Sequence, residues 1–167
     1  SEITRPGGAT FQIAYDLNDR ITAITDENGH ACVYTYDANG NRLTQTTPEG
    51  TVSGTYDAQD RLLTYGDYEY TYGASGELAT KTDTTTGDVT AYAWDVFGNL
   101  VRVDLPDGTV IEYLVDGKNR RVAKLVNGVT VKQWLWSSQL RIAAELDSGV
   151  VLELDGTRLI EDDGSPE

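Results

Sequence analysis

Apolar and polar side chains alternate in short runs along most of this chain. Phe11, Ile13 and Tyr15 are spaced two residues apart, and so are Tyr34 and Tyr36. Because successive side chains of a strand point to opposite faces, each run predicts a strand with its rings on one face. No window shows an apolar stripe with the 3.6-residue period of a helix. The pattern therefore predicts an all-β protein.

A turn signal follows these runs. In the best-preserved copy, Tyr36 is followed by Asp37 to Asn41, with the sequence Asp-Ala-Asn-Gly-Asn. Asp, Asn and Gly tolerate positive φ and bond to nearby main-chain groups, so this segment predicts a tight turn. Leu43 and the alternating residues after it predict the returning strand. One copy is therefore predicted to be one antiparallel β-hairpin.

The hairpin pattern recurs about seven times between residues 9 and 146, at steps of 16 to 22 residues. Such self-similarity is typical of proteins in which each unit packs against its neighbours. Each aspartate is expected to accept main-chain hydrogen bonds in its turn or to pair with a following arginine. The repeat-defining residues are Tyr15, Asp16, Tyr36, Asp37, Arg42, Tyr56, Asp57, Arg61, Tyr72, Trp94, Asp95, Asp116, Arg121 and Trp136. The three arginines are aligned at one position, just before the aliphatic residue that opens the returning strand.

These motifs carry a family resemblance. Tyr36 to Leu43, with the sequence Tyr-Asp-Ala-Asn-Gly-Asn-Arg-Leu, resembles the YD repeats of the RHS family. That family includes bacterial polymorphic toxins, the C component of insecticidal toxin complexes and the teneurins. The resemblance implies a strip of hairpins that spirals into a hollow shell, which encloses a toxin in bacteria or forms a cell-surface barrel in teneurins. It also implies a secreted or cell-surface location.

The chain divides into four segments by this pattern. Residues 1–8 are polar and Gly-rich and predict a flexible lead-in, and residues 9–146 hold the repeats. Residues 147–160 predict a last, degenerate hairpin, and residues 161–167 predict an acidic tail. Because turns fall about every ten residues, we expect a curved or spiralling single sheet in which hairpins follow one another.

Charge limits the classes of partner. The net charge of −14 and the 27 acidic residues repel phosphate backbones, so the sequence predicts no nucleic-acid binding. No run approaches the roughly 18 apolar residues of a membrane-spanning segment, so we expect no membrane insertion. The single cysteine, Cys32, excludes an internal disulfide framework and is interpreted as a small buried side chain.

The sequence offers two candidates for a binding site. Tyr68, Tyr70, Tyr72, Trp94 and Trp134 form a candidate ligand platform, because aromatic rings stack on sugar rings. The alternative is that these rings pack across strands, since they occupy the structural positions of the repeat. The segment from Asp37 begins like a calcium loop, but its twelfth position is Pro48, so no metal site is predicted.

No catalytic site or cofactor is predicted. His30, the only histidine, follows Gly29 in a turn and has no triad or metal-site spacing with Cys32 or a carboxylate. The sequence and the resemblance together predict a non-catalytic segment of a shell that encloses or presents a toxin or effector polypeptide. Its expected partners are neighbouring repeats, other domains of the parent protein and a toxin cargo. The alternative function is a cell-surface adhesion or carbohydrate-binding module.

Overall fold

The computed structural model describes residues 2–4, 10–147, 151–155 and 158–162. The secondary structure of these residues consists of strands and turns without a helix, which confirms the all-β prediction. No helix suited to crossing a membrane is present in the described ranges. The strands are β1 (Glu2–Thr4), β2 (Thr10–Tyr15), β3 (Ile21–Asp26), β4 (Ala31–Tyr36), β5 (Arg42–Thr47), β6 (Gly50–Tyr56), β7 (Leu62–Tyr65), β8 (Tyr68–Tyr72), β9 (Leu78–Asp83), β10 (Val89–Trp94), β11 (Leu100–Asp104), β12 (Val110–Val115), β13 (Arg121–Val126), β14 (Val129–Trp136), β15 (Ile142–Asp147), β16 (Val151–Asp155) and β17 (Arg158–Asp162).

The described residues form two compact units. The first takes its residues from 1–71 and 82–87, and the second takes them from 72–81 and 88–167. In the first unit, β1 to β8 lie in chain order, and each strand pairs antiparallel with the next. In the second unit, β10 to β15 follow the same rule, and β16 and β17 form a separate antiparallel pair. The predicted architecture of successive hairpins is confirmed.

Little apolar surface is buried completely. Among the described residues, the buried hydrophobic residues are Val103 and Ala123, with 8% and 7% of their surface exposed. The aromatic face is nevertheless the better covered one, because the three tyrosines of β8 are half-buried and the residues between them are exposed. Sheets of this kind depend on cross-strand pairs and ladder hydrogen bonds more than on a core.

The opposite face of the first unit carries threonine pairs. The hydroxyl groups of Thr35 and Thr44 are 2.6 Å apart across β4 and β5, and those of Thr55 and Thr64 are 2.7 Å apart across β6 and β7. Opposed threonines on neighbouring strands each contribute roughly 0.2 to 1 kcal/mol. Side chains on both faces of this unit thus stabilise the pairing between its strands.

Three details differ from the sequence pattern. Glu2–Thr4, within the predicted lead-in of residues 1–8, form a strand paired with β2, and main-chain bonds hold this edge strand although it has no apolar periodicity. β17 ends at Asp162, two residues past residue 160, and its pairing with β16 extends to Val151. Cys32 is half-buried rather than buried, since the sheet has little core. Ser1 and residues 5–9, 148–150, 156–157 and 163–167 lie outside the described residues.

Candidate functional site

An aspartate organises one turn in each of five repeats. Its Oδ1 accepts hydrogen bonds of 2.8 to 3.1 Å from the main-chain N–H groups two and four residues later. Its Oδ2 accepts a bond of 2.6 to 3.0 Å from the side chain four residues later. The pairs are Asp16 with Arg20, Asp37 with Asn41, Asp57 with Arg61, Asp95 with Asn99, and Asp116 with Arg120.

The main chain of these turns has one common form. The aspartate N–H donates to the carbonyl four residues later, and the N–H three residues later donates to the aspartate carbonyl. The residue at this fourth turn position has positive φ, which is the arrangement of a tight turn followed by a left-handed residue. Glycine fills the position in some turns and Asp or Asn, which tolerate this conformation, in others. The residues are Asp19, Gly40, Asp60, Gly98 and Asn119.

The turn survives where the aspartate is replaced. In the repeat at Gly73 the main-chain N–H donates to the carbonyl of Glu77 at 2.8 Å, and Ser137 donates likewise to Arg141 at 2.9 Å. These two repeats therefore keep the backbone of the turn without its carboxylate. Tyr72 and Trp136 precede the two positions, as the alignment of the repeats predicted.

The aromatic residue before the turn reaches back to the preceding hairpin. Its hydroxyl or indole N–H donates to a main-chain carbonyl. The acceptor in each of these bonds lies five residues after the position of the aspartate in the preceding turn. In the hairpins whose register is described, this carbonyl lies beside a shift of the strand ladder, where a bulge disrupts regular pairing. The bonds are Tyr36 Oη to Ile21 (2.7 Å), Tyr56 Oη to Arg42 (3.1 Å), Trp94 Nε1 to Leu78 (2.7 Å) and Trp136 Nε1 to Arg121 (2.9 Å).

An arginine at the fifth turn position links its turn to the next one. Arg20 binds Asp16, lies 4.7 Å from the ring centre of Tyr36, and donates from Nη1 to the main-chain carbonyl of Asp37 at 3.0 Å. In the second unit, Arg120 lies 5.7 Å from the ring centre of Trp136 and donates to the carbonyl of Ser138 at 3.2 Å, one position further along the next turn. One guanidinium thus connects two consecutive hairpins.

An asparagine at the same position makes a different link. Asn41 Nδ2 donates to Asp60 Oδ1 of the next turn at 2.7 Å, and Asn39 Nδ2 donates to the same oxygen at 2.8 Å. In the second unit, Asn99 Nδ2 donates to Asn119 Oδ1 at 3.2 Å. In both cases the acceptor is the left-handed residue of the following turn. The amide therefore needs an acidic or amide side chain at that position of its neighbour.

The turn carboxylates are ionised at neutral pH. The main-chain N–H of Arg20 lowers the pKa of Asp16, and the side-chain amides of Asn41 and Asn99 lower the pKa of the aspartates that begin their turns. Arg61 likewise lowers the pKa of Asp57. The hydrogen bonds from Arg120 lower the pKa of Asp116 to about 2. Hydrogen bonding to the charged form is the shared physical cause.

Arg42 and Arg121 differ in role from Arg61, although all three precede the aliphatic residue that opens the returning strand. They follow the residue that binds the aspartate, so their guanidinium groups meet strand aromatics instead. Arg42 donates to Tyr65 Oη at 3.0 Å, and Arg121 lies 3.8 Å from the ring centre of Tyr113. Arg61 lies four residues after its aspartate, whereas Arg42 and Arg121 lie five residues after theirs. The distance from the aspartate therefore distinguishes the two kinds of arginine.

The rings of the candidate platform are engaged within the sheet. Trp94 donates its indole N–H to Leu78, and Trp134 donates its own to Glu145 Oε2 at 2.9 Å. Tyr68, Tyr70 and Tyr72 lie along β8 and are half-buried. The structure thus places these residues in the strand positions that the alternative interpretation expects.

The turn at the other end of the strands in the first unit holds a related aspartate pairing that the sequence did not predict. Asp26 Oδ1 accepts N–H bonds from Asn28 and His30, both at 2.9 Å, and His30 Nδ1 lies 3.1 Å from Asp26 Oδ2. The spacing from Asp26 to His30 is the signal, because it equals the spacing from Asp16 to Arg20. Beside this turn lies a cleft of about 380 Å³ that includes Cys32. Within the described residues, no group of three His, Cys, Asp or Glu side chains is arranged to hold a metal ion.

Comparison with known proteins places these features in a family. Residues 4–150 match the family model described as Teneurin YD-shell. The tRNA nuclease WapA of Bacillus subtilis (strain 168) is 30% identical over 143 residues, which cover 80% of this chain and 6% of WapA. Human Teneurin-4 is 35% identical over 117 residues, which cover 66% of this chain and 4% of that protein. The chain thus spans a small part of these relatives.

Solved structures show the same fold at low identity. A crystal structure of TcdB2-TccC3 has a TM-score of 0.58 and 14% identity, over 77% of this chain and 9% of that one. A crystal structure of TcdB2-TccC3-Cdc42 has a TM-score of 0.59 and 13% identity, over 80% and 9%. At such identities the likeness concerns the fold alone.

Proposed function

The chain belongs to the RHS and YD-repeat family, whose YD-shell model it matches, and we propose that it builds part of a shell wall around a toxin or effector polypeptide. The polypeptide and the wall would be parts of one longer parent protein or of one complex. The family relationship supports a secreted or cell-surface location for that parent.

The observation that carries this proposal is the way consecutive hairpins are joined. Tyr36 and Trp94, in different units, each donate to a carbonyl of the hairpin before them, and Arg20 and Asn41 connect neighbouring turns. Because each hairpin has so little core, such bonds let a thin sheet hold its form. A wall that encloses a volume needs strength of this kind within a single layer of strands.

Charge adds a second, electrostatic role. A segment with a net charge of −14 attracts basic polypeptide and repels nucleic acid. A basic cargo would therefore be held near the wall, and its own nucleic-acid target would be kept away. This attraction weakens with salt, since exposed charges are screened over about 10 Å at 0.1 M.

We further propose that the segment has no catalytic activity of its own. WapA is named a tRNA nuclease, and the match covers 6% of that protein. The acidic repeats are unsuited to binding tRNA, so any nuclease activity would reside in another part of such a parent. Incubation of the isolated segment with tRNA is expected to leave the RNA intact, and cleavage that copurifies with the segment would overturn this point.

Enclosure is tested by limited proteolysis of the full-length parent. The polypeptide beyond the repeats is expected to survive much longer within the parent than when expressed alone. The combined variant Tyr36→Phe and Tyr56→Phe removes two bonds between hairpins and should shorten that survival, whereas Tyr113→Phe should not. Equal digestion of the polypeptide inside and outside the parent would exclude enclosure.

The adhesion alternative has less support. The indole N–H groups of Trp94 and Trp134 are already bonded within the sheet, which leaves the faces of the rings for stacking but not these donors. Glycan binding by the isolated segment that is lost in Trp134→Ala would favour this alternative over a wall.

A further inference from the structure

A cleft lies at the edge of the first unit opposite the linked aspartate turns. It is bounded by the turn from Asp26 to His30 and by the turn at Pro48 and Glu49, and its volume is about 380 Å³. Phe11, Ile24 and Cys32 supply apolar surface to its lining. A concave site of this size with an apolar lining and a few polar groups is typical of ligand pockets.

The charge at the rim of the cleft is negative. Asp26 and Glu49 line it, and no lysine or arginine does so among the described residues. Main-chain N–H donation from His30 lowers the pKa of Asp26, and a hydrogen bond from the Thr47 side chain lowers the pKa of Glu49. Both carboxylates are therefore charged at neutral pH.

We propose that this cleft binds the side chain of a lysine or arginine from a basic polypeptide. Such side chains carry an aliphatic stem that covers apolar surface and a cationic head that stays near polar groups. The stem fits against Phe11 and Ile24, and the head lies near the carboxylates of Glu49 and Asp26. Charge complementarity selects this occupant over a neutral or acidic one. The proposal is independent of enclosure, because a free basic peptide would bind in the same way.

Cys32 provides a reporter within the site. It is the only cysteine in the chain, it lines the cleft, and it is half-buried. A methanethiosulfonate reagent transfers its alkylthio group to this sulfur: the Cys32 thiol loses its proton to solvent, the thiolate attacks the sulfur that bears the alkyl group, a disulfide forms as the S–S bond of the reagent breaks, and methanesulfinate leaves. The rate of that reaction depends on how strongly the cleft attracts or repels the reagent.

The experiment compares a positively charged aminoethyl reagent with a negatively charged sulfonatoethyl reagent. The positive reagent is expected to react faster at Cys32. Glu49→Gln should lower the ratio of the two rates about fivefold, because the lost charge acts on the two reagents in opposite directions. Glu69→Gln makes the same charge change at an exposed position outside the cleft and should leave the ratio nearly unchanged.

A second control distinguishes the effect of the cleft on the reaction rates from the effect of the overall charge of the chain. Val33 is the next residue of β4, 41% exposed and outside the lining of the cleft. A Val33→Cys protein that also carries Cys32→Ser should show a clearly smaller preference for the positive reagent. An equal preference at both positions, equal effects of the two glutamine variants, or no reaction of Cys32 with either reagent would overturn the proposal.

Occupancy is measured by protection. N-acetyl-lysine methylamide at millimolar concentration should slow the reaction of Cys32 with a neutral methanethiosulfonate, and Glu49→Gln should weaken that protection. The norleucine counterpart, which has the stem without the charge, should protect less. Equal protection by the two compounds would show a purely apolar cleft and would contradict the choice of a cationic ligand.

Discussion

The hydroxyl of Tyr36 donates a hydrogen bond of 2.7 Å to the main-chain carbonyl of Ile21, which belongs to the preceding hairpin. The tyrosine of the repeat motif therefore acts at two levels. Its ring lies on the better covered face of β4, and its oxygen connects one repeat to another. The same relationship recurs in the second unit with Trp94 and Leu78, where an indole replaces the phenol.

Removal of this hydroxyl is expected to weaken the first unit. Tyr36→Phe should lower the free energy of unfolding by about 1 kcal/mol, because the Ile21 carbonyl loses a protein donor while the ring is kept. Urea denaturation measures the change. Tyr113→Phe is the control, since the hydroxyl of Tyr113 has no hydrogen-bond partner among the described residues; equal losses in both variants would contradict the assignment.

The link between turns predicts coupling between Asn41 and Asp60. A double-mutant cycle with Asn41→Ala and Asp60→Gly should give a coupling energy of about 0.5 to 1 kcal/mol, because the amide bonds directly to the carboxylate. Glycine is chosen because Asp60 has a φ of 62°. Asn28→Ala combined with Asp60→Gly should be additive, since Asn28 lies in a turn at the other edge. Additivity of both pairs would show that the amide link does not stabilise the sheet.

Acid should destabilise the turns in a defined pH window. The pKa of Asp116 falls from 3.8 to about 2 in the folded chain, so the unfolded chain takes up its proton first as the pH decreases. The stabilisation is therefore complete above about pH 5 and is lost between about pH 4 and 2. In Asp116→Asn, the free energy of unfolding should decrease less steeply across that window. Denaturation experiments at successive pH values measure the difference. Glu69→Gln controls for net charge, and an unchanged slope in Asp116→Asn would contradict the expectation.

Two glycines of the second unit should respond oppositely to alanine. Gly98 has a φ of 79°, so Gly98→Ala should cost about 1 to 2 kcal/mol in backbone strain. Gly117, which follows Asp116, is not left-handed and has open space around an added Cβ, so Gly117→Ala should be neutral or stabilising by up to about 1 kcal/mol. Thermal unfolding distinguishes the two. Equal effects would mean that Gly98 does not keep its left-handed conformation in solution.

Local chemistry explains which features could be predicted. The hairpin at Tyr36 and Asp37 follows from alternation and turn residues within ten positions of the chain, so the sequence alone was sufficient for its fold. The bond between Asn41 and Asp60 joins residues 19 apart and depends on which strands lie side by side. Alignment of the turns gives a sequence signal for this bond. Where the fifth position of a turn is asparagine, the left-handed position of the next turn holds an acidic or amide residue.

The second edge of the first unit was less predictable for another reason. The sequence places His30 in a turn, where its side chain is exposed, but its bond to Asp26 repeats the pattern of the aspartate turns. The cleft beside it collects Phe11, Ile24 and Glu49 from different strands and turns. Spacing along the chain does not predict such a meeting of side chains, because the register between hairpins sets it.

The bonds from aromatic residues to carbonyls all run in one direction along the chain. In each described case the donor belongs to the later hairpin and the acceptor to the earlier one, as with Trp136 and Arg121. A ribosome makes the acceptor first, so every newly emerged hairpin finds its attachment point already formed. The strip can thus grow in the order of its synthesis, one hairpin at a time, without waiting for its far end.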